Sequence, residues 1–563
     1  MTDSKDIQKP TVSIAEITFS GGEVITLGSD DIVLIVGANN SGKSKTIAEL
    51  VKTIGEHDHT LEQTLKENLV VKQVKLNKSA NAESLQKFLD ENAELAETNY
   101  VYQNVRLHTS FTKRFNQKML AATAPLFQNL LNARSRLDIV NTQNGVGVKG
   151  HKTAPQHFLY EDEALMLRIS NLFKDAFGSQ LFFDHRGNPQ IPIHVGEYPE
   201  VIAGEDRISD SYVAKVRNFP RIDDQGDGMK SYAGIVFQTI VFPRDITFID
   251  EPEAFLHPPQ MRRLGKTLAT ETKGQLIVAT HSADILKGFL EANADRVRVI
   301  RLQREGNKNH ATELPPNKVQ ELWSHPQIRY STALEAIFHE QAIICEDDSD
   351  CRLYSAVANH LEQQEKDIRW KDTHYIPTGG KQAAPRVAEA LKGLGVPIKM
   401  IFDFDLLSNE HELKKVTQSV GGDWASIQKD WMILNAEVRK GVKVKTVEEI
   451  AVEITKLLKD VSEGLPKSDI LELMKQNKPW SIVKQVGYLA IPNGQASAAY
   501  EKLRDSLNSM GVYVVEKGQI EKFCITVGGH GPGFVSKLLE TVDLGDAKLR
   551  DLREFIKSII QSH

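Results

Sequence analysis

Five consecutive apolar residues, Ile32-Val33-Leu34-Ile35-Val36, run directly into Gly37-Ala38-Asn39-Asn40-Ser41-Gly42-Lys43-Ser44, after which a helical pattern, KTIAELVKTIGE, begins. This junction constrains the fold more than any other feature. So apolar a run reads as a strand buried on both faces, the signature of a parallel sheet with helices packed on it. The text after it fits G-x-x-x-x-G-K-[ST], the spacing of a loop whose backbone N–H groups wrap phosphate oxygens. Its glycines let the backbone approach, and the helix N-terminus adds the positive end of its dipole. Lys43 is expected to reach the β- and γ-phosphates of ATP and Ser44 to ligate magnesium, with Asn39, Asn40, Ser41, Gly42, Lys45 and Thr46 completing the cradle.

Strand signals return at Ile246-Thr247-Phe248-Ile249 and at Gln275-Leu276-Ile277-Val278-Ala279, with a helical segment around Pro259 to Ala269 between them. That alternation is a βαβ unit. The first of these strands ends in Asp250-Glu251, where Asp250 would bind magnesium through water and Glu251 would polarise the attacking water. The second delivers His281, placed to contact the γ-phosphate or orient that water. GANNSGKS, DEPEAFLHP (Asp250 to Pro258) and THS (Thr280 to Ser282) together resemble the ABC-type ATPases, and specifically the OLD (overcoming lysogenization defect) branch. The resemblance implies a head-to-head homodimer in which a signature segment of one protomer completes the other's ATP site. Gly226-Asp227-Gly228-Met229-Lys230-Ser231 is the candidate segment, with Gly228 and Lys230 as nucleotide contacts, although it departs from the LSGGQ form of transporters.

With 563 residues the chain exceeds one hydrophobic core, so two to four domains are expected. The region of about 55–225 reads as a mostly helical insertion broken by turn-rich stretches at 141–150 and 186–192. Pro315-Pro316 marks a candidate boundary, and the expected division is 1–335 and 336–563. No run approaches the roughly 18 apolar residues of a membrane span, and the polar start MTDSKDIQKPTVS resembles no secretory signal. Cytoplasmic location is the default. Cys345, Cys351 and Cys524 form no CxxC pair and read as packing residues in a reducing compartment. A net charge of -6 supplies no global field for nucleic acid, so binding would rely on metal or on local basic clusters. Such clusters occur at Arg106, Lys113, Arg114 and Lys118, at Arg134 and Arg136, and at Arg262 and Arg263, each also readable as a solvated helix face.

A second acidic constellation follows. The apolar strand Ala342-Ile343-Ile344-Cys345 ends in Glu346-Asp347-Asp348-Ser349-Asp350, and Ile398 to Phe402 ends in Asp403-Phe404-Asp405. Alternation along an extended segment would turn Asp403 and Asp405 the same way. Carboxylates so crowded stay ionised only if a cation neutralises them, and magnesium or manganese suits all-oxygen ligands. Between these strands, a strand at His374 to Ile376 precedes Gly379-Gly380-Lys381. Glu at the first strand end, the GG turn after the second and D-x-D after the third resemble a TOPRIM domain, with Asp347 where the family usually has glycine. By that resemblance Glu346, Asp350, Asp403 and Asp405 hold one or two metals. Glu521, in the late segment VYVVEKGQIEKF, is a further candidate ligand and Lys537 the candidate catalytic lysine, with Lys517, Lys522 and Lys548 competing. A charged helical stretch of about 410–485 separates the two parts.

The expected architecture is α/β: an ABC-type P-loop ATPase domain followed by a Rossmann-like TOPRIM domain with helical additions. The expected activity is ATP-gated, metal-dependent cleavage of DNA, with a bacterial anti-phage role and a second defence-system component implied by the resemblance. Two alternatives stay open: RNA such as tRNA as the target, and an ATP-driven clamp or sensor that binds metal without cutting.

Overall fold

The computed structural model describes residues 8–561 apart from 148–149, 188, 325, 330–331, 368, 460–465 and 476–477; the polar N-terminal stretch therefore lies largely outside the described residues. The chain forms two compact units, Met1–His325 and Pro326–His563. No helix among the described residues is long and apolar enough to cross a membrane.

The first unit is built on a six-stranded sheet in the order Lys308–Leu314, Val297–Glu305, Ile32–Val36, Gln275–Ala279, Ile246–Asp250, Gln128–Leu131. The Lys308–Leu314 strand is antiparallel; the other pairings are parallel. Every residue of Ile32–Val36 is buried, as its sequence requires. Register decides function here: Asp250 pairs with Ala279, and Ala279 with Ile35, so three C-terminal strand ends lie side by side. A second, antiparallel layer, Val24–Thr26, Val12–Phe19 and Val71–Lys78, shares one apolar core with the helix Lys43–Ile54 and the large sheet, including Phe19, Ile47, Leu50, Phe127 and Phe248. Gln275 joins the layers: its buried amide accepts from Ile14 N–H (2.7 Å) and donates to Ile14 C=O (2.8 Å).

The stretch 55–225 departs from the mostly helical expectation. It contains Val71–Lys78, which extends the antiparallel layer, and Gln128–Leu131, which forms the edge of the main sheet. Helices Ala82–Asn92, Glu163–Phe177 and Asp210–Arg217 alternate with short strands within 94–108 and 180–196. Those strands are only two to four residues long, too short for a period-two pattern to stand out in the sequence.

The second unit carries a four-stranded, wholly parallel sheet in the order Thr373–Pro377, Gln341–Cys345, Ile398–Phe402, Val512–Val514. Helices Asp348–Gln364, Gly531–Thr541 and Arg550–Gln561 pack into a core that includes Ile343, Tyr354, Phe523, Phe534 and Ile556. Among its described residues, the stretch 410–485 carries helices Glu410–Ser419, Trp424–Gly441, Val447–Lys459, Lys467–Lys475 and Pro479–Val486. All three cysteines are free and buried.

Glu49 fastens the phosphate-loop helix to the next layer. It is 3% exposed, and its carboxylate accepts the N–H groups of Leu69 (2.7 Å), Val70 (2.9 Å) and Val71 (2.8 Å). Glu49→Ala leaves two buried donors and one part-buried donor unpaired, a loss of about 3 kcal/mol. A urea-unfolding midpoint for the first unit shifted clearly downward, with an unchanged slope, is the expected observation.

Candidate nucleotide and metal sites

The loop after Ile32–Val36 is shaped by close packing. Gly37 sits at φ 142°, where a Cβ would fall 2.4 Å from Leu302 C=O, and Gly42 at φ 101° packs beside the Asn309 amide, which donates to Ser41 C=O. Side chains are excluded at both glycines. The Lys43 ammonium donates to the carbonyls of Gly37 (2.9 Å) and Ala38 (3.1 Å), and burial lowers its pKa, with Glu251, Glu253 and Asp250 pulling the other way. Lys45 points to Glu49 (3.8 Å). Thr46 is fully buried and gives both its N–H and its hydroxyl to Gly42 C=O, so its donors are already committed within the helix.

Asp250 stands at its strand end, where burial foremost raises its carboxyl above the usual range while a hydrogen bond from Ser44 lowers it. Its Oδ1 is buried without a hydrogen-bond partner. An orphaned carboxylate oxygen beside the Ser44 hydroxyl fits the ligand set of a nucleotide-bound magnesium. Glu251 adopts φ 49°, a left-handed conformation that a non-glycine residue holds only when its surroundings enforce it.

Two residues enforce this geometry, and neither was given this role from sequence. Arg136, which the sequence offers as part of a basic cluster or of a solvated helix face, is fully buried, and its guanidinium donates to the carbonyls of Glu251 (2.7 Å), Asp250 (3.3 Å) and Ala254 (3.3 Å). Burial lowers its pKa to about 10, with Glu253, Glu251 and Asp250 opposing. Glu253 is 3% exposed and accepts from Thr280 Oγ1 (2.9 Å) and His281 N–H (2.7 Å), with His281 Nδ1 3.0 Å away. His281 is thus tethered by the second glutamate of the DEPE run. Gly228 and Lys230 lie in the first turn of the helix Asp227–Val241, where Gly228 packs against Phe255 C=O and Ser231 donates to Ala254 C=O (3.4 Å).

The second acidic set also converges. Ligand oxygens of Glu346, Asp403 and Asp405 lie within 4.8 Å of one another. Glu346 follows the strand Gln341–Cys345, accepts from Asp403 N–H (2.9 Å), and offers its carbonyl to Gly380 N–H (2.9 Å), so the GG turn closes against it. The reason for the pairing of Asp403 and Asp405 differs from the expectation: the strand stops at Phe402, and Asp403 begins a 3-10 turn, Phe404–Ser408, that folds Asp405 back beside it.

Burial, then the charge of neighbouring acids, drives the Glu346 and Asp403 carboxyls up to about 7, with Lys381 and Lys484 opposing. Burial also acts on Asp405, but Lys381 on one oxygen and Lys484 on the other (2.7 Å) outweigh it and leave this group below its ordinary value. Lys484 also lies 3.7 Å from Asp403, and Lys381 4.0 Å from Glu346. Three clustered carboxylates, two of them held near neutrality by desolvation, suit a hard divalent cation.

The remaining expected residues are not part of this cluster. Asp350 accepts from Asp347 N–H (3.1 Å) at the start of the helix Asp348–Gln364, outside the three-carboxylate cluster; burial first, then Asp403, raises it to about 7. Glu521 accepts from Gly531 N–H (2.8 Å) and lies 3.5 Å from His530, also outside the cluster. Lys537 is exposed on the helix Gly531–Thr541. The lysines that reach the acids are Lys381, visible in the GGK text, and Lys484, for which the sequence carries no local signal.

Residues 122–287 match the family described as "AAA domain, putative AbiEii toxin, Type IV TA system", and residues 337–405 match "Overcoming lysogenization defect protein-like, TOPRIM domain". The chain thus combines a P-loop ATPase domain with an OLD-like TOPRIM domain. It is 23% identical over 288 residues to the Old nuclease of Escherichia phage P2, an alignment covering 49% of this chain and 42% of that protein. The chain therefore spans less than half the length of that curated relative. Among solved structures it is similar to the Smc head domain with an extended coiled coil from Pyrococcus furiosus (14% identity, 55% of this chain, 98% of that chain, TM-score 0.33) and to the SMC head domain from Thermotoga maritima (13%, 55%, 99%, TM-score 0.29).

Two outcomes follow from these geometries. Arg136→Met frees the strained Glu251 peptide, so kcat for ATP hydrolysis falls at least about tenfold while nucleotide affinity stays within about threefold, measured by steady-state turnover and equilibrium nucleotide binding. Carboxyls raised to about 7 bind protons in the folded state that the unfolded chain, with its pKa near 4, releases; their stabilisation is complete at low pH and is lost as pH rises through 7. In EDTA, the second unit's melting temperature therefore drops between about pH 4 and 7 and levels off above that range. Asp403→Asn lessens that drop.

Proposed function

We propose that the chain is an ATP-gated, divalent-metal-dependent endonuclease that hydrolyses phosphodiester bonds of DNA, and that it serves bacterial defence against phage. The observation that carries this reading is the meeting of Glu346, Asp403 and Asp405 from two separate strand ends, within and at the edge of the stretch that matches an OLD-like TOPRIM domain. A bound magnesium or manganese would supply an activated water and charge neutralisation at the phosphate. The protein's own residues hold three carboxylate oxygens in one place, fix Asp403 through its N–H on Glu346, and bring Lys381 and Lys484 to the same centre as positive charge for a phosphate-bearing substrate. Similarity to a phage nuclease supports nucleic acid as that substrate.

ATP acts as a ligand with unequal affinity for two arrangements of the chain. In this reading, two protomers associate through their ATPase units, with Gly228 and Lys230 of one contacting nucleotide held by Lys43, Ser44 and Asp250 of the other. Glu251 activates the hydrolytic water and His281, tethered by Glu253, stands beside the γ-phosphate. RNA is the second reading, favoured by the toxin-associated name of the family matched by the ATPase segment.

Supercoiled plasmid and total RNA, each incubated with manganese and the purified chain, separate these readings. Nicking or linearisation of plasmid that disappears in Asp403→Ala, with ATP turnover within about twofold of wild type, is the expected result. RNA degradation with intact plasmid would transfer the activity to RNA. An Asp403→Ala protein that keeps every cleavage and toxicity readout, beside an inactive Lys43→Ala, would leave an ATP-driven clamp.

A further inference from the structure

Lys484 enters the acidic centre from the helix Pro479–Val486, part of the charged helical stretch that follows the acidic strand ends. Its approach is built, not incidental. The carbonyl of Lys484 packs so tightly on Gly518 that a Cβ there would lie 2.1 Å from it, and Gly518 holds φ 101°. Gly487, at φ 76°, packs in the same way on Glu516 C=O. The Gly518 carbonyl in turn accepts from Phe404 N–H (2.9 Å), the residue after Asp403. One continuous set of contacts thus fixes the helix end to the acidic turn, and the Lys484 ammonium reaches Asp405 (2.7 Å) and Asp403 (3.7 Å).

We propose that Lys484 is the site's own exchangeable cation, holding Asp403 and Asp405 in place until a divalent ion takes its position. The inference rests on the metal-dependent reading above. Ammonium and divalent ion compete for the same carboxylate oxygens and repel each other at such separations. One of the two lysines must therefore yield. Lys381 is the more enclosed, with 14% of its side chain exposed against 37% for Lys484, and it is shared between Asp405 and Glu346. Lys484 is the one that can turn its flexible four-carbon stem to solvent while its backbone stays locked on Gly518. Its ammonium then stays near the centre, available to a phosphate oxygen of the substrate. The helical stretch thereby gains a function: it carries a counter-charge that keeps the buried acids together before metal arrives.

Manganese affinity tests this without reference to cleavage. Free Mn2+ is titrated by electron paramagnetic resonance against the nucleotide-free full chain, its Lys484→Met and Lys484→Arg variants, and Asp403→Ala, with melting curves showing that each is folded. Loss of the competing charge in Lys484→Met tightens Mn2+ binding about tenfold, whereas Lys484→Arg, which keeps the charge, shows no tightening. Wild-type binding that Asp403→Ala abolishes but Lys484→Met leaves equal or weaker overturns the exchange and spares the metal site. Binding that is the same in wild type, Lys484→Met and Asp403→Ala removes the metal-site reading itself, and the exchange with it.

Discussion

Carboxylates stripped of water at the ends of buried parallel strands must find positive charge, and both candidate sites are organised by that requirement. Asp250 ends a strand in the first unit, and Glu346 and Asp403 follow strand ends in the second. In each place burial is the main force acting on the carboxyl, raising it above its ordinary value. Parallel sheets produce such positions because their strands all point one way, so their C-terminal ends open onto a common rim. What differs is the cation. Beside Asp250, the opposing charges are Arg136 and Lys43; at the second rim they are Lys381 and Lys484, in salt-bridge range.

In the ATPase unit, a second constraint is backbone strain. Glu251 and Phe255 both hold positive φ within a turn of a few residues, and neither is glycine. Such a turn persists only where its carbonyls are gripped from outside. Arg136 and Ser231 supply the grip, and Gly228 lies against Phe255 C=O. The helix Asp227–Val241, whose first turn carries the candidate signature residues, therefore presses on the same turn that presents Glu251. Whatever displaces that helix acts on the Glu251 turn through direct contact.

The TOPRIM unit uses glycine differently. Gly487 and Gly518 allow backbone-to-backbone approach that any side chain would block, and this brings a helix from the 410–485 stretch to the edge of the acidic turn. A region that reads as solvated and charged contributes Lys484 to the centre. The charge it brings offsets repulsion among three carboxylates that no main-chain group could offset alone.

Local pattern determined much of this protein. The all-apolar strands at Ile32–Val36 and Gln275–Ala279, the Gly-rich turn with Lys43 and Ser44, the strand-end acids Asp250, Glu346, Asp403 and Asp405, and the burial of the three cysteines all follow from residue type and spacing, because short-range rules link those to backbone form. The strands of 55–225 were hidden, since most of them are too short for a repeating pattern to register. Arg136, Glu253, Lys381 and Lys484 received their roles only from tertiary structure. A charged side chain looks the same in sequence whether it faces water or a buried carboxylate, and which of the two it meets is settled by segments far apart in the chain packing together.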